Sequence, residues 1–174
     1  MAGAKVPFAP MEALLAAELP DGDGWQYEPK WDGFRCLARR GGDEITLTSK
    51  SGKPLGRYFP EVVAMLDQVK ERNFLLDGEL IIPVGDALAF DALQLRLHPA
   101  ESRIRKLSQQ TPAELMLFDL LELDGRSLAN QPLAKRREKL EAFHLKQRVP
   151  GLLLSPMTRE RATAVGWLER SGGG

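Results

Sequence analysis

Between Asn73 and Pro83 the chain runs Phe74-Leu75-Leu76-Asp77-Gly78-Glu79-Leu80-Ile81-Ile82, apolar enough to read as a strand covered on both faces, yet holding two acids. A carboxylate taken out of water without a partner is strongly disfavoured, so these two acids constrain the fold around them. Asp77 and Glu79 are two apart and fall on one face of such a strand. They require cations, hydroxyls or a metal ion to answer them. Glu79 is the one expected to reach a cleft, because Leu80-Ile81-Ile82 continue the buried run beyond it. Taken alone, a bend at Gly78 that releases both acids to solvent accounts for the same residues equally well.

The remaining pattern predicts mixed elements. Pro7, Pro10 and Pro20 with Asp21-Gly22-Asp23-Gly24 read as an arm over residues 1–24 wrapping a domain that starts near Trp25. Trp25-Gln26-Tyr27-Glu28, Phe34-Arg35-Cys36-Leu37-Ala38 and Ile45-Thr46-Leu47-Thr48 have strand character and suggest an antiparallel meander, with Gly41-Gly42-Asp43 before the third. Pro60 opens a helix in which Val62, Val63, Leu66 and Val69 recur at helical spacing. A short helix is expected over Phe90 to Leu97 and a charged surface segment over Glu101 to Gln110. Leu115 to Leu121 forms an apolar run. Pro132 starts an amphipathic helix to about His144, with Leu133, Arg137, Leu140 and His144 on one face. Leu152 to Leu154 reads as a strand and Thr158 as the cap of a last helix, Arg159 to Arg170. Without regular βαβ alternation, the pattern favours an α+β fold with a largely antiparallel sheet.

Three local patterns can carry chemistry. In Glu28-Pro29-Lys30-Trp31-Asp32-Gly33-Phe34-Arg35, Pro29 stops regular pairing, Gly33 permits a tight turn, and Lys30 is left at a bend. A lysine near its ordinary pKa of ~10.4 is only about 0.04% neutral at pH 7, so its use as a nucleophile needs desolvation or nearby positive charge. Arg35, another basic residue or a bound metal ion fits that need; an ordinary hairpin turn with an exposed lysine also fits the spacing. The second pattern is the pair of acids at Asp77 and Glu79. The third is Phe118-Asp119, an aromatic at the end of an apolar run that can stack on a base or simply fill the core.

Weaker still, Thr48-Ser49-Lys50-Ser51-Gly52-Lys53 combines hydroxyls, glycine and cations suited to phosphate contact, without the glycine spacing of an NTPase loop. Two histidines, His98 and His144, and the single Cys36 do not make a typical zinc site.

The 174 residues balance 24 Lys and Arg against 24 Asp and Glu, which argues against a chain that holds nucleic acid merely by being basic. One cysteine builds no disulfide framework and fits a reducing, cytoplasmic setting. No run approaches the ~20 apolar residues of a membrane span, so no membrane partner is expected.

In order along the chain, Lys30-Trp31-Asp32-Gly33-Phe34-Arg35 matches KxDGxR, Ser49-Lys50-Ser51-Gly52 is similar to SRxG, Asp77-Gly78-Glu79 matches DGE, and Phe118-Asp119-Leu120-Leu121 completes the series. The chain resembles the nucleotidyltransferase (adenylation) domain of ATP-dependent DNA ligases, of the small bacterial and end-joining type. Tyr27 to Arg35 and Leu97-His98-Pro99-Ala100-Glu101-Ser102-Arg103 are shared with that bacterial branch.

The resemblance implies an ATP-grasp-like α+β fold with mainly antiparallel sheets flanked by helices. It implies attack by Lys30 on ATP to give lysyl-AMP, with Mg²⁺ or Mn²⁺, for sealing nicked or broken double-stranded DNA in repair or recombination, in a bacterial cytoplasm. By the same resemblance Glu28 lies at the adenine edge, Arg35 and Glu79 at the ribose, Glu79 also near metal, Lys50 at phosphate and Phe118 on the base plane. Asp32, Gly33, Asp77, Gly78 and Asp119 shape the motifs, Asp32 by holding the turn and Arg35.

Lys50 stands where the family has arginine, keeping charge but losing the bidentate fork. The family's EGxV or DGxV and VKxK motifs do not occur, and the chain ends in Ser171-Gly172-Gly173-Gly174. The implied domain over residues 25–174 is therefore expected to be partial, lacking its last strands and an OB-fold domain, and weak or inactive alone. An RNA ligase or capping-type nucleotidyltransferase, and a non-catalytic nucleotide- or DNA-binding remnant, are the alternatives.

Overall fold

The computed structural model describes residues 9–170; the expectations on Pro7 and on the tail Ser171-Gly172-Gly173-Gly174 lie outside them. Residues 9–24 contain no helix or strand. The sheet begins with β1 (Phe34–Gly41) and β2 (Glu44–Ser49), joined by a two-residue turn in which Gly42 takes φ +65°, a left-handed conformation that glycine adopts without steric penalty. Helix α1 (Pro60–Asp67) follows, then β3 (Asn73–Ile81), the hairpin of β4 (Pro83–Val84) and β5 (Ala87–Leu88), helices α2 (Phe90–Arg96) and α3 (Glu101–Gln110), β6 (Glu114–Leu123) and β7 (Arg126–Ser127). The described chain closes with α4 (Leu133–Gln147), β8 (Leu152–Leu154) and α5 (Arg161–Arg170).

The main sheet runs β2-β1-β3-β6-β7, antiparallel throughout that path, and β8 joins β6 in parallel. The expected meander is corrected in its first member. Trp25 to Glu28 forms only a bridge, Tyr27 to Thr158, because Pro29 cannot donate to a ladder; β3 takes the place beside β1.

Alternation along the strands sorts two faces. Cys36, Ala38, Leu76 and Leu80 join Leu115, Leu117 and Leu120 in the main core, closed by Val62, Met65 and Leu66 of α1 and Leu140 and Phe143 of α4. The opposite face has only a small cluster, Leu37, Leu75 and Leu121, beside charged groups. Arg40, on the core side, satisfies the carbonyl ends of α1 by donating to Leu66, Asp67 and Val69 at 3.0–3.2 Å. Cys36 is fully buried and its thiol is pushed up to about 12 by burial, so it is a core residue rather than a nucleophile.

Two expectations about helices change. On α4 the inward residues are Arg136, Arg137, Leu140, Phe143 and Gln147, whereas Leu133 is exposed. Thr158 accepts from the Glu160 amide at 3.0 Å, ahead of a helix that starts at Arg161.

Candidate active site

β3 and β6 do not pair in plain register. Leu76 faces Leu120 and Asp77 faces Asp119, but Gly78 faces Leu117 and Leu75 faces Glu122, so Phe118 and Leu121 are each passed over. A bulge of this kind sends consecutive side chains to one face, which strict alternation forbids. That is how Phe118 and Asp119 both oppose Asp77 on the open side of the sheet.

Asp77 is buried and answered by Arg35, whose Nε and Nη2 donate to its two carboxylate oxygens at 2.6 Å each. The same guanidinium lies over the Phe118 ring, 4.9 Å from its centroid, and donates to the Met11 carbonyl at 3.0 Å. Arg35 is thus held by Asp77, not by Asp32 as expected; Asp32 is exposed on the loop before β1. Asp119 is held by Arg136, whose Nε donates at 2.9 Å and Nη2 at 3.1 Å. Two facing carboxylates with an arginine each are the solution to the acids in an apolar run.

Glu79 behaves as expected of the acid nearer a cleft. It is half-buried and lines a cleft of about 830 Å³ with Gly33, Phe34, Arg35, Glu12, Ser49, Lys50 and Lys53 among its walls. Burial pushes its carboxyl up to about 7, opposed by Arg35 and by a hydrogen bond from the Gly33 amide.

Gly33 is required for a reason other than a tight turn. A Cβ there would sit 2.1 Å from the Leu80 carbonyl oxygen, so only glycine lets the loop lie on β3. Gly78 is not a bend but a close approach of the same kind, its Cβ position lying 2.5 Å from the Met116 carbonyl oxygen.

Lys30 is exposed on the loop leading into β1, with no strand before it. Glu28, two residues earlier, is half-buried and paired with Arg137 at 3.2 Å. Burial raises its carboxyl to about 7 while Arg137 pulls the other way and Asp119 adds to the rise. Lys50 is exposed on the turn after β2 and lies 3.6 Å from Glu12.

The structure brings Arg35, Glu79 and Lys50 to one cleft, while Lys30, Glu28 and Phe118 are not among its walls. Arg136, Arg137 and Ser155 were missed as site neighbours. The available signal was a pair of arginines in register with Leu140 on an otherwise apolar helix face, which calls for buried acceptors.

Mixed helices and a mainly antiparallel sheet match the solved structures of ligase nucleotidyltransferase domains. The chain superposes on the ligase domain of Mycobacterium tuberculosis LigD with a TM-score of 0.64 at 26% identity, over 85% of this chain and 45% of that one. A mycobacterial DNA ligase D complexed with ATP and MES gives 0.63 at 26% identity, over 86% and 45%.

The chain belongs to the ATP dependent DNA ligase domain family, whose model matches residues 10–157. It is 48% identical over 140 residues to DNA ligase C1 of Mycolicibacterium smegmatis, covering 77% of this chain and 40% of that protein. It is 40% identical over 164 residues to DNA ligase C of Mycobacterium tuberculosis, covering 92% and 45%. The chain therefore spans less than half the length of these relatives.

Proposed function

We propose that this chain is the nucleotidyltransferase part of an ATP-dependent DNA ligase, with Lys30 as the nucleophile. The observation that carries the reading is the gathering of Arg35, Glu79 and Lys50 around one cleft, beside a loop that leaves Lys30 exposed. In this reading the neutral Lys30 amine attacks the α-phosphorus of ATP. The bond to the bridging oxygen breaks, pyrophosphate leaves with the electron pair, and the amine proton passes to solvent. AMP then moves from Lys30 to the 5′-phosphate at a DNA break, and the neighbouring 3′-hydroxyl displaces it.

In this reading each residue takes the task that the family resemblance implies for it. Glu28 accepts from the adenine edge, Phe118 offers a ring face to the base, Arg35 and Glu79 hold the ribose, and Lys50 contacts phosphate. Asp77, held to Arg35, and Asp119, held to Arg136, fix the frame. Among the described residues no group of three or more ligating side chains occurs. Mg²⁺ binds through one or two carboxylates plus substrate phosphates, and Glu79, in the wall of the cleft, is the carboxylate that would hold it. Bound there, the ion would neutralise phosphate charge. Nicked or broken DNA is the proposed substrate and the cytoplasm the proposed setting; among the described residues no helix is long and apolar enough to cross a membrane.

Incubation with ATP and Mg²⁺ overnight should add one AMP by intact mass, located on Lys30, absent in Lys30→Ala and not supported by GTP. Nucleotide binding without any covalent adduct would favour a non-catalytic binding module instead.

A further inference from the structure

The loop that carries Lys30 is fastened on both sides to one short stretch of chain more than 120 residues away. Ser155 directly follows β8 and is fully buried, its amide donating to the Leu117 carbonyl at 2.8 Å and so extending the sheet. Its hydroxyl accepts from the Trp31 indole Nε1 at 2.9 Å. Its carbonyl accepts from Arg137 Nη2 at 2.8 Å, and the same guanidinium reaches Glu28 through Nη1 at 3.2 Å and Glu141 through Nε at 2.8 Å. One residue further out, Tyr27 and Thr158 exchange backbone hydrogen bonds of 2.8 and 2.9 Å. Residues 27, 28 and 31 are therefore pinned, and Lys30 between them stays exposed.

Arg137 is the unusual member. It is only 5% exposed, and burying a guanidinium is costly unless each of its edges finds an acceptor. Here three edges find acceptors on three separate pieces of chain: the loop, the end of β8 and α4 itself. Such a fork is rigid because the guanidinium is planar and its donors are fixed relative to one another. A reaction in which an amine must approach phosphorus in line is sensitive to displacements of about 1 Å, worth on the order of 100-fold in rate.

We propose that Arg137 and Ser155 are positioning residues for the nucleophile, Arg137 fixing Glu28 and Ser155 fixing Trp31 so that the loop presents Lys30 in one orientation. The proposal rests on the reading of Lys30 as nucleophile and adds two residues that lie outside the KxDGxR, DGE and FD patterns.

Its test has one arm that needs no catalysis. In Ser155→Ala, Trp31→Phe and Arg137→Met, hydrogen exchange of the peptide spanning 26–33 should rise about tenfold while a β3 peptide over 73–81 is unchanged, and Arg137→Lys should fall between. The second arm follows lysyl-AMP formation: in Ser155→Ala and Trp31→Phe the maximal rate should drop about tenfold with KM for ATP within twofold. Arg137→Met should also raise KM, because Glu28 is released, and Arg137→Lys should recover part of both.

Unchanged exchange at 26–33, or equal rises at 26–33 and 73–81, overturns the proposal, as does a loss in Ser155→Ala expressed only in KM. Should Arg137→Met not fold, Arg137→Lys tests the Glu28 side and Trp31→Phe, at a half-buried ring, tests the Ser155 side. If wild-type chain forms no lysyl-AMP, the functional reading fails, while the exchange arm still decides whether these residues hold the loop.

Discussion

The two faces of β1 and β3 show what the same strands do with opposite surroundings. Toward the helices, Cys36, Ala38, Leu76 and Leu80 pack without a polar atom in need of a partner. Toward the open side, Arg35, Asp77 and Glu79 stand within the same few residues, and Arg35 and Asp77 meet through an ion pair beside the small cluster of Leu37, Leu75 and Leu121. The lesson is a division of labour by parity: even-numbered positions hold the sheet together, and odd-numbered positions can be specialised because the even ones already do so.

Substitutions on the two faces should separate in size. Leu76→Ala on the helix side is expected to cost about 2–5 kcal/mol in a denaturant titration, since a fully buried side chain leaves a cavity in a close-packed core. Asp77→Ala should cost about 3 kcal/mol, the low end for a broken buried pair because Arg35 is partly exposed and can turn toward water. Gly33→Ala should cost about 1–3 kcal/mol, because the added methyl meets backbone. It should also slow AMP transfer to Lys30 more than its stability cost explains. If Asp77→Ala proves harmless, the contrast is one of polarity alone and the open face contributes nothing to stability.

A smaller effect separates the faces by pH. Glu79 and Glu28 have folded-state pKa values of about 7 against ordinary values of 4.5, so the folded chain binds more protons than the unfolded one between those limits. Their contribution to stability is accordingly favourable at low pH and is lost as pH rises from about 4.5 through 7. The denaturation midpoint of Glu79→Gln should fall less than that of wild type between pH 5 and 8. Equal slopes would show that Glu79 is solvated like a surface acid. Smallest of all, Lys50→Arg should leave stability within about 0.5 kcal/mol, as for most exposed positions, and modestly raise the rate of AMP transfer through a bidentate phosphate contact.

Much of the sheet was legible from alternation and punctuation. The elements β1, β2, β3, α1, α2 and β8 follow from apolar spacing bounded by glycine, proline or asparagine, whereas Glu101–Gln110, whose charge is compatible with a surface helix or a loop, forms α3. The polar face was legible as well, since acids inside an apolar run demand partners. What stayed hidden depends on registration between distant strands. The skipped residues of β6 follow from how β3 docks on it, and no local pattern in Leu115 to Leu121 carries that. Likewise Arg137 and Glu28 are 109 residues apart, and helical spacing can place an arginine on the inner face without saying which acid meets it. The misread of Trp25 to Glu28 has the same origin: period-two alternation describes a segment able to be a strand, but Tyr27 found one partner residue rather than a strand.

The bulge at Phe118 has a meaning for insertions and deletions. A strand that passes over one residue has one to spare. Removing Phe118 would leave Asp119 opposite Asp77 and Leu117 opposite Gly78, the pairing they already have, with no downstream residue turned to the wrong side. Removing Leu117, inside the ladder, offers no such relief. The aromatic of this site is thus, like Leu121 three residues on, a position where length can vary by a residue while the sheet keeps its order, so its gain or loss can be tried by evolution without first unmaking the fold.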